Sequence, residues 1–237
     1  MSERVRVCLV GASGLVGSAL VRACVGRDDV RLVAIARSEL ALPPGARMEV
    51  LLADPANWGD AIAAARPQVL VSALGTTWAR SGKNEAAFRA VDQELVLACA
   101  RWGVEAGARQ LIAISAVGAD PHARSLYMRV KGEVEAALGK LGYPRLDIVR
   151  PGLLRGRRAE RRALEGIGQV VAPLVDPLLG GNLARFRSIR GSTLAEAILA
   201  LAHEKARGRF VHEWPALDRL LKRQAFRAAL RQPAAVD

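Results

Sequence analysis

Residues 5–20 read VRVCLVGASGLVGSAL, and the order of features in this stretch decides the fold. Val5 to Val10 is a short run of β-formers ending at a glycine, which predicts a strand buried on both faces. Gly11-Ala12-Ser13-Gly14-Leu15-Val16-Gly17 then spaces its glycines as GxxGxxG. From Gly14 to about Val25 the apolar residues Leu15, Val16, Ala19, Leu20 and Ala23 recur at helical spacing, and Gly26 is a suitable stop. A glycine turn between a strand and a helix lets backbone N–H groups and the helix N-terminus approach a pyrophosphate. Gly11, Ser13, Gly14, Leu15, Val16 and Gly17 are therefore candidate phosphate-loop residues. The alternative is a purely structural turn, since glycine is common after strands.

Working outward, the same alternation repeats. Strands are expected at Val30 to Ala36, Met48 to Ala53, Val69 to Leu74, Gln110 to Ser115 and Arg145 to Val149. Helices are expected at Trp58 to Ala65, Glu85 to Trp102 and Ser125 to Leu141, the last ending near Gly142 and Pro144. Strands alternating with helices, without repeats or low-complexity linkers, predict an α/β fold: a Rossmann-like doubly wound parallel sheet. Ligands of such sheets bind at the carboxyl ends of the strands. Beyond Arg150-Pro151-Gly152 the character changes to an arginine-rich stretch, an apolar segment broken by Pro173 and Pro177, and a helix from Leu194 to Ala206. The expected organisation is a cofactor-binding core over 1–150 and a small C-terminal substrate-lobe segment of the same domain over 151–237, frayed from about Arg231.

The chain has 237 residues, about half of them apolar (51%), enough for one sizeable core. Nothing approaches the roughly 18 uncharged residues of a membrane helix, and no signal-peptide pattern opens the chain, so the expectation is a soluble, cytoplasmic protein without a membrane partner. Cys8, Cys24 and Cys99 have neither metal spacing nor the even count of a disulfide framework and read as core thiols. His122, His203 and His212 lack metal spacing, and no metal site is expected. The formal charge of +12, carried mostly by arginine, favours anionic partners. Nucleic acid is disfavoured, because no aromatic-interleaved basic motif or helix-turn-helix is present.

The end of the second strand selects the cofactor. Folds that prefer NAD place an acidic residue there, on the ribose hydroxyls. This chain places Arg37-Ser38 there, a guanidinium and a hydroxyl suited to a 2′-phosphate, so NADP(H) is favoured over NAD(H). Asp54 is placed to accept from an adenine amino group, or else to cap the turn before Pro55. Ala73, Leu74 and Gly75, after the fourth strand, are placed to line the cofactor ribose.

Tyr127 and Lys131 stand four residues apart on one expected helix, so their side chains share a face. Tyrosine ordinarily ionises near pH 10 and becomes a useful acid or base at neutral pH when a cation stabilises the phenolate. Lys131 supplies that cation and can also hold the ribose hydroxyls. Ser115, at the end of the preceding strand, can donate to a substrate carbonyl as charge develops on it. Through GASGLVG at 11–17, Ser115 and YMRVK at 127–131, the sequence resembles the short-chain dehydrogenase/reductase superfamily over nearly its whole length. More narrowly it resembles the atypical branch of the HIV Tat-interactive protein oxidoreductases, through SALGTTWARSG at 72–82, ISAVGAD at 114–120, YMRVKGEVEAAL at 127–138 and RPGLLRGRRAERR at 150–162. The resemblance implies NADP(H) binding, with Arg150 and Pro151 among the cofactor-side residues, and a site in which Tyr127 is the acid/base, Lys131 its partner and Ser115 the carbonyl positioner. The superfamily's additional helix asparagine is not evident: Val91-Asp92-Gln93 stands at that position.

Trp78, after Thr76 and Thr77, is placed either to wall a substrate pocket or to pack. The arginines from Arg155 to Arg162 are either a solvated segment or recognition for an acidic substrate. The expected function is hydride transfer to or from a small carbonyl or alcohol. The alternative is an NADPH-sensing regulatory protein that reports redox state to a protein partner.

Overall fold

The computed structural model describes residues 4–156, 176 and 179–231. Its centre is a seven-stranded sheet in the order β3-β2-β1-β4-β5-β6-β9, built from β1 (Val5–Val10), β2 (Val30–Ala36), β3 (Glu49–Leu52), β4 (Val69–Ser72), β5 (Gln110–Ile114), β6 (Arg145–Val149) and β9 (Gly208–His212). Every pairing is parallel. The central strands are apolar on both faces, because each face is covered by helices.

One layer holds α1 (Leu15–Ala23) against α6 (Gly191–Ala202), with Leu9, Val71, Ile112 and Val149 beneath them. The other holds α2 (Trp58–Ala65), α4 (Val96–Glu105) and α5 (Leu126–Leu138) over Cys8, Val10, Leu70, Leu111 and Ile148. Between α3 (Glu85–Arg89) and α4 lies a π-helical segment, Ala90–Leu95, where one uninterrupted helix was expected.

Burial pushes the Cys8 and Cys99 thiols up to about 12, as suits core thiols. Strands β3, β4 and β5 and helix α5 are each slightly shorter than the sequence reading, and the helix expected over 194–206 runs instead from Gly191 to Ala202.

The C-terminal part packs onto the sheet. Strand β9 extends the main sheet beside β6, and α7 (Trp214–Arg231) carries Leu217 and Leu220 into the core beside α6. What stands apart is a small parallel pair, β7 (Leu154–Arg155) and β8 (Ile189–Arg190), followed in space by a 3-10 turn at Gly181–Phe186. The last helix runs to Arg231, and the tail expected to fray beyond it lies outside the described residues.

Among the described residues no helix is long and apolar enough to cross a membrane, and no group of three or more His, Cys, Asp or Glu residues could hold a metal ion.

Candidate active site

Strand order reverses between β1 and β4: β2 and β3 lie to one side of β1, and β4, β5 and β6 to the other. A crevice at the carboxyl ends of such a pair is where an α/β sheet takes its ligand. Here the glycine turn meets the end of β4. Gly11 sits at φ +86°, and a Cβ on it would fall 2.6 Å from the Ala73 carbonyl and 2.7 Å from the Leu74 nitrogen. Only glycine permits both the left-handed backbone and that approach. A Cβ on Gly17 would fall 2.2 Å from the Gly11 oxygen, so α1 rests directly on the turn.

Gly14 caps α1 with extended backbone and no side-chain cap bond, which leaves the first N–H groups of α1 to point out of the turn. The structure thus gathers Gly11, Ser13, Gly14, Leu15, Val16 and Gly17 with Ala73, Leu74 and Gly75 into one cradle. An uncapped helix start without side-chain bulk fits a pyrophosphate. Arg37 and Ser38 lie exposed just past the end of β2, the strand next to β1, on the same edge.

Helix α5 brings Tyr127, Lys131 and Glu135 onto successive turns of one face. Tyr127 is 36% exposed, packs 6.0 Å from the Phe88 ring and has the Lys131 ammonium 5.9 Å from its own ring centroid. Trp78 meets the Phe88 ring edge-on at 6.3 Å while remaining 42% exposed.

Lys131 is buried, and its Nζ lies 2.9 Å from Oδ1 of Asp92, which is itself 1% exposed. Oδ2 of Asp92 accepts the Thr76 N–H at 2.6 Å. Asp92 belongs to the π-helical segment, where the extra residue of the wider turn carries this side chain inward. A Cβ on Gly75 would sit 3.5 Å from Asp92 Oδ1 and 4.0 Å from Lys131 Nζ, so the ion pair lies directly beneath the end of the β4 loop.

Ser115 stands at the end of β5, where expected, but its hydroxyl donates to Glu135 Oε1 at 2.5 Å. Glu135 is buried and also accepts from Arg150 Nε at 2.9 Å and Nη2 at 2.6 Å. That bond raises the Arg150 guanidinium still further above its usual range. Arg150, read as a cofactor-side residue, gives Nε and Nη2 to Glu135 of α5, since a buried carboxylate needs a bidentate cation. Pro151 contributes through its carbonyl, which accepts the Val117 N–H at 3.1 Å and ties the end of β6 to the loop after Ser115.

Asp54 is exposed and accepts the Ala56 N–H at 2.9 Å, capping a 3-10 turn at Pro55–Asn57. This is the cap read for Asp54 as the alternative to an adenine contact, made with the near N–H of the short turn before Pro55. Of the basic stretch from Arg155 to Arg162, only Arg155 and Gly156 lie among the described residues.

Two groups of the site escaped the sequence reading. Asp92 is reached through a π-bulge, which regular helical periodicity does not reveal. Glu135 carried a usable signal, since it repeats the four-residue step from Tyr127 to Lys131 within the apolar face of Val130, Val134 and Leu138.

A family model described as NAD(P)H-binding matches residues 11–168. The chain is similar to protein fmp52, mitochondrial, of Emericella nidulans, with 32% identity over 173 residues that cover 70% of this chain and 74% of the relative. It is similar to Protein FMP52, mitochondrial, of Eremothecium gossypii, with 31% identity over 212 residues, 86% of this chain and 92% of the relative. These names overturn the cytoplasmic expectation, which rested on lacking a recognisable leader and a membrane-length run; neither specifies a compartment.

Among solved structures, MoeE5 in complex with UDP-glucuronic acid and NAD superposes with a TM-score of 0.67 at 14% identity, over 88% of this chain and 75% of that one. WbmG of Bordetella bronchiseptica, in complex with NAD and UDP, gives 0.64 at 15%, over 94% and 79%. Similarity at that identity shows a shared Rossmann-like fold.

Proposed function

The chain belongs to the NAD(P)H-binding family, and on that premise we propose that it is an NADP(H)-dependent oxidoreductase of the short-chain dehydrogenase type, acting on a small carbonyl or alcohol. The observation that carries this reading is the placement of Tyr127 and Lys131. They share one face of α5, with the ammonium 5.9 Å from the phenol ring and beneath the strand edge that carries the glycine cradle.

When bound, the nicotinamide supplies the hydride acceptor or donor. The cradle at 11–17 holds the pyrophosphate on uncapped N–H groups, and Arg37 with Ser38 binds the 2′-phosphate and so favours NADP(H) over NAD(H). Ala73, Leu74 and Gly75 flank the ribose. Tyr127 gives its proton to the substrate oxygen in reduction or takes it in oxidation, and its exposure lets the proton exchange with solvent. Ser115 orients the substrate oxygen once its hydroxyl proton, which goes to Glu135 in this structure, turns to the substrate.

The test is NADPH oxidation followed at 340 nm across a panel of aldehydes and ketones, some with a carboxylate. Turnover that falls by about 10²–10⁴-fold in Tyr127→Phe, with NADPH binding retained, is the expected result.

A second reading is an NADPH sensor of low turnover that binds a protein partner, in line with the resemblance to the Tat-interactive branch. The engagement of both Lys131 by Asp92 and the Ser115 hydroxyl by Glu135 favours it. NADPH binding without turnover on any carbonyl of the panel would select the sensor.

A further inference from the structure

The position where the superfamily often has an asparagine holds a buried carboxylate here, and it does not stand free. Asp92 is fixed from three elements: its own π-helical segment, the β4 loop through the Thr76 N–H, and α5 through Lys131. An amide at this place would leave Lys131 as a net positive charge beside Tyr127. A carboxylate 2.9 Å from Nζ makes the pair neutral overall.

The neighbouring charged groups are each committed elsewhere. Arg89 of α3 pairs with Glu85 and with Glu133 of α5, and Glu135 pairs with Arg150. Asp120, on the loop after β5, accepts the His122 N–H, and Arg129 of α5 bonds the carbonyls of Ala123 and Arg124 on that same loop. Among the described residues, the ammonium found against the Tyr127 ring is that of Lys131, and its counter-charge is Asp92.

We propose that Asp92 is the positioning residue of this site: it holds the Lys131 ammonium beside Tyr127 and cancels its charge, so that Tyr127 stays a phenol and works as the proton donor to a carbonyl oxygen. The inference rests on the reading of Tyr127 as the acid/base group and names what holds its lysine. In reduction, a hydride from NADPH forms the new C–H bond as the carbonyl π pair moves to oxygen. The Tyr127 O–H breaks to protonate that oxygen, and solvent water returns the proton to Tyr127. The products are NADP⁺ and an alcohol, with one proton consumed from solution. Oxidation runs the same steps in reverse, with Tyr127 taking the proton.

The chain has two tyrosines, which makes the charge balance measurable without substrate or cofactor. Burial pushes the Tyr143 phenol well above its ordinary range, and its hydroxyl donates to the Ala100 carbonyl at 2.7 Å. The part of the tyrosinate absorbance near 295 nm that is lost in Tyr127→Phe therefore reports Tyr127.

The experiment is an absorbance titration of the full chain and its Asp92→Asn, Lys131→Gln and Asp92→Asn/Lys131→Gln variants, with Tyr127→Phe to assign the signal and circular dichroism to confirm folding at each pH. Asp92→Asn is expected to move the transition about one pH unit lower, the size of one unit charge beside a half-exposed phenol. Lys131→Gln moves it higher, and the double variant returns close to the parent. If Asp92→Asn does not fold, Asp92→Asn/Lys131→Gln is compared with Lys131→Gln, and a carboxylate facing Tyr127 makes the double variant's transition the lower of the two. A transition unmoved in either folded single variant overturns the proposal. Since no turnover is involved, absence of oxidoreductase activity would defeat the functional reading and leave this result standing.

Discussion

Two buried carboxylates, Asp147 on β6 and Asp92 in the π-helical segment, are held in opposite ways. Asp147 accepts from Arg145 Nε and Nη2 and from Gln110 Nε2, each at 2.7 Å, and faces His212 Nε2 at 2.8 Å. Every one of those partners sits on β5, β6 or β9, so the sheet itself fixes the network. Burial pushes the Asp147 carboxyl up, but the bonds from His212, Arg145 and Gln110 outweigh it and hold it below its ordinary range. Asp92 has one backbone donor and one ammonium that lies close but out of line for a hydrogen bond, under an exposed glycine at the edge of the crevice. A saturated network between strands stabilises the fold. The Asp92–Lys131 pair joins two helical segments beneath the crevice loop, and on the proposed function it serves the chemistry.

That contrast breaks most readily at Asp147. Asp147→Ala should cost about 3–5 kcal/mol in urea unfolding, because Arg145 is left buried without its counter-charge, while nucleotide preference in the folded protein is unchanged. Gly17→Ala comes next: its Cβ meets the Gly11 oxygen, so about 1–3 kcal/mol of stability is lost together with nucleotide binding. Asp92→Asn should cost roughly 1–2 kcal/mol, since the Thr76 bond survives and water from the crevice can solvate Lys131. A larger loss at Asp92 than at Asp147 would erase the distinction.

The smallest effect is on pH dependence. Asp147 has a depressed folded-state value, so its contribution is complete above the unfolded carboxylate range near ~3.9 and is lost as pH falls through the lower folded value. Urea midpoints below about pH 4 should therefore decline less steeply in Asp147→Asn than in the parent.

The parts of this arrangement that were legible in the sequence are those with strong local causes. Buried strands read as apolar runs, the glycine turn as GxxGxxG, and the Tyr127–Lys131 face as a four-residue step. Strand β9 was not legible, because Gly208–His212 lies at the sheet edge and carries exposed residues, including Arg209, in place of an apolar run. Helix α7 was hidden by its arginines, although Leu217 and Leu220 reach the core. Ser115 was placed correctly by its strand end, but its partner was not, since the Glu135–Arg150 clamp joins α5 to the end of β6 through tertiary packing. The inward turn of Asp92 depends on a local departure from the 3.6-residue repeat.

The most direct test of the central claim is a thermal-shift titration with NADPH and NADH in parallel, on the parent chain and on Arg37→Ala. A ligand that binds only the folded state raises Tm according to its affinity. The account predicts a clear shift with NADPH, a smaller one with NADH, and a preference that Arg37→Ala reduces by about 10–100-fold in apparent affinity, the worth of a charge-assisted contact to phosphate. No shift with either nucleotide would contradict it and leave the glycine turn as a structural device.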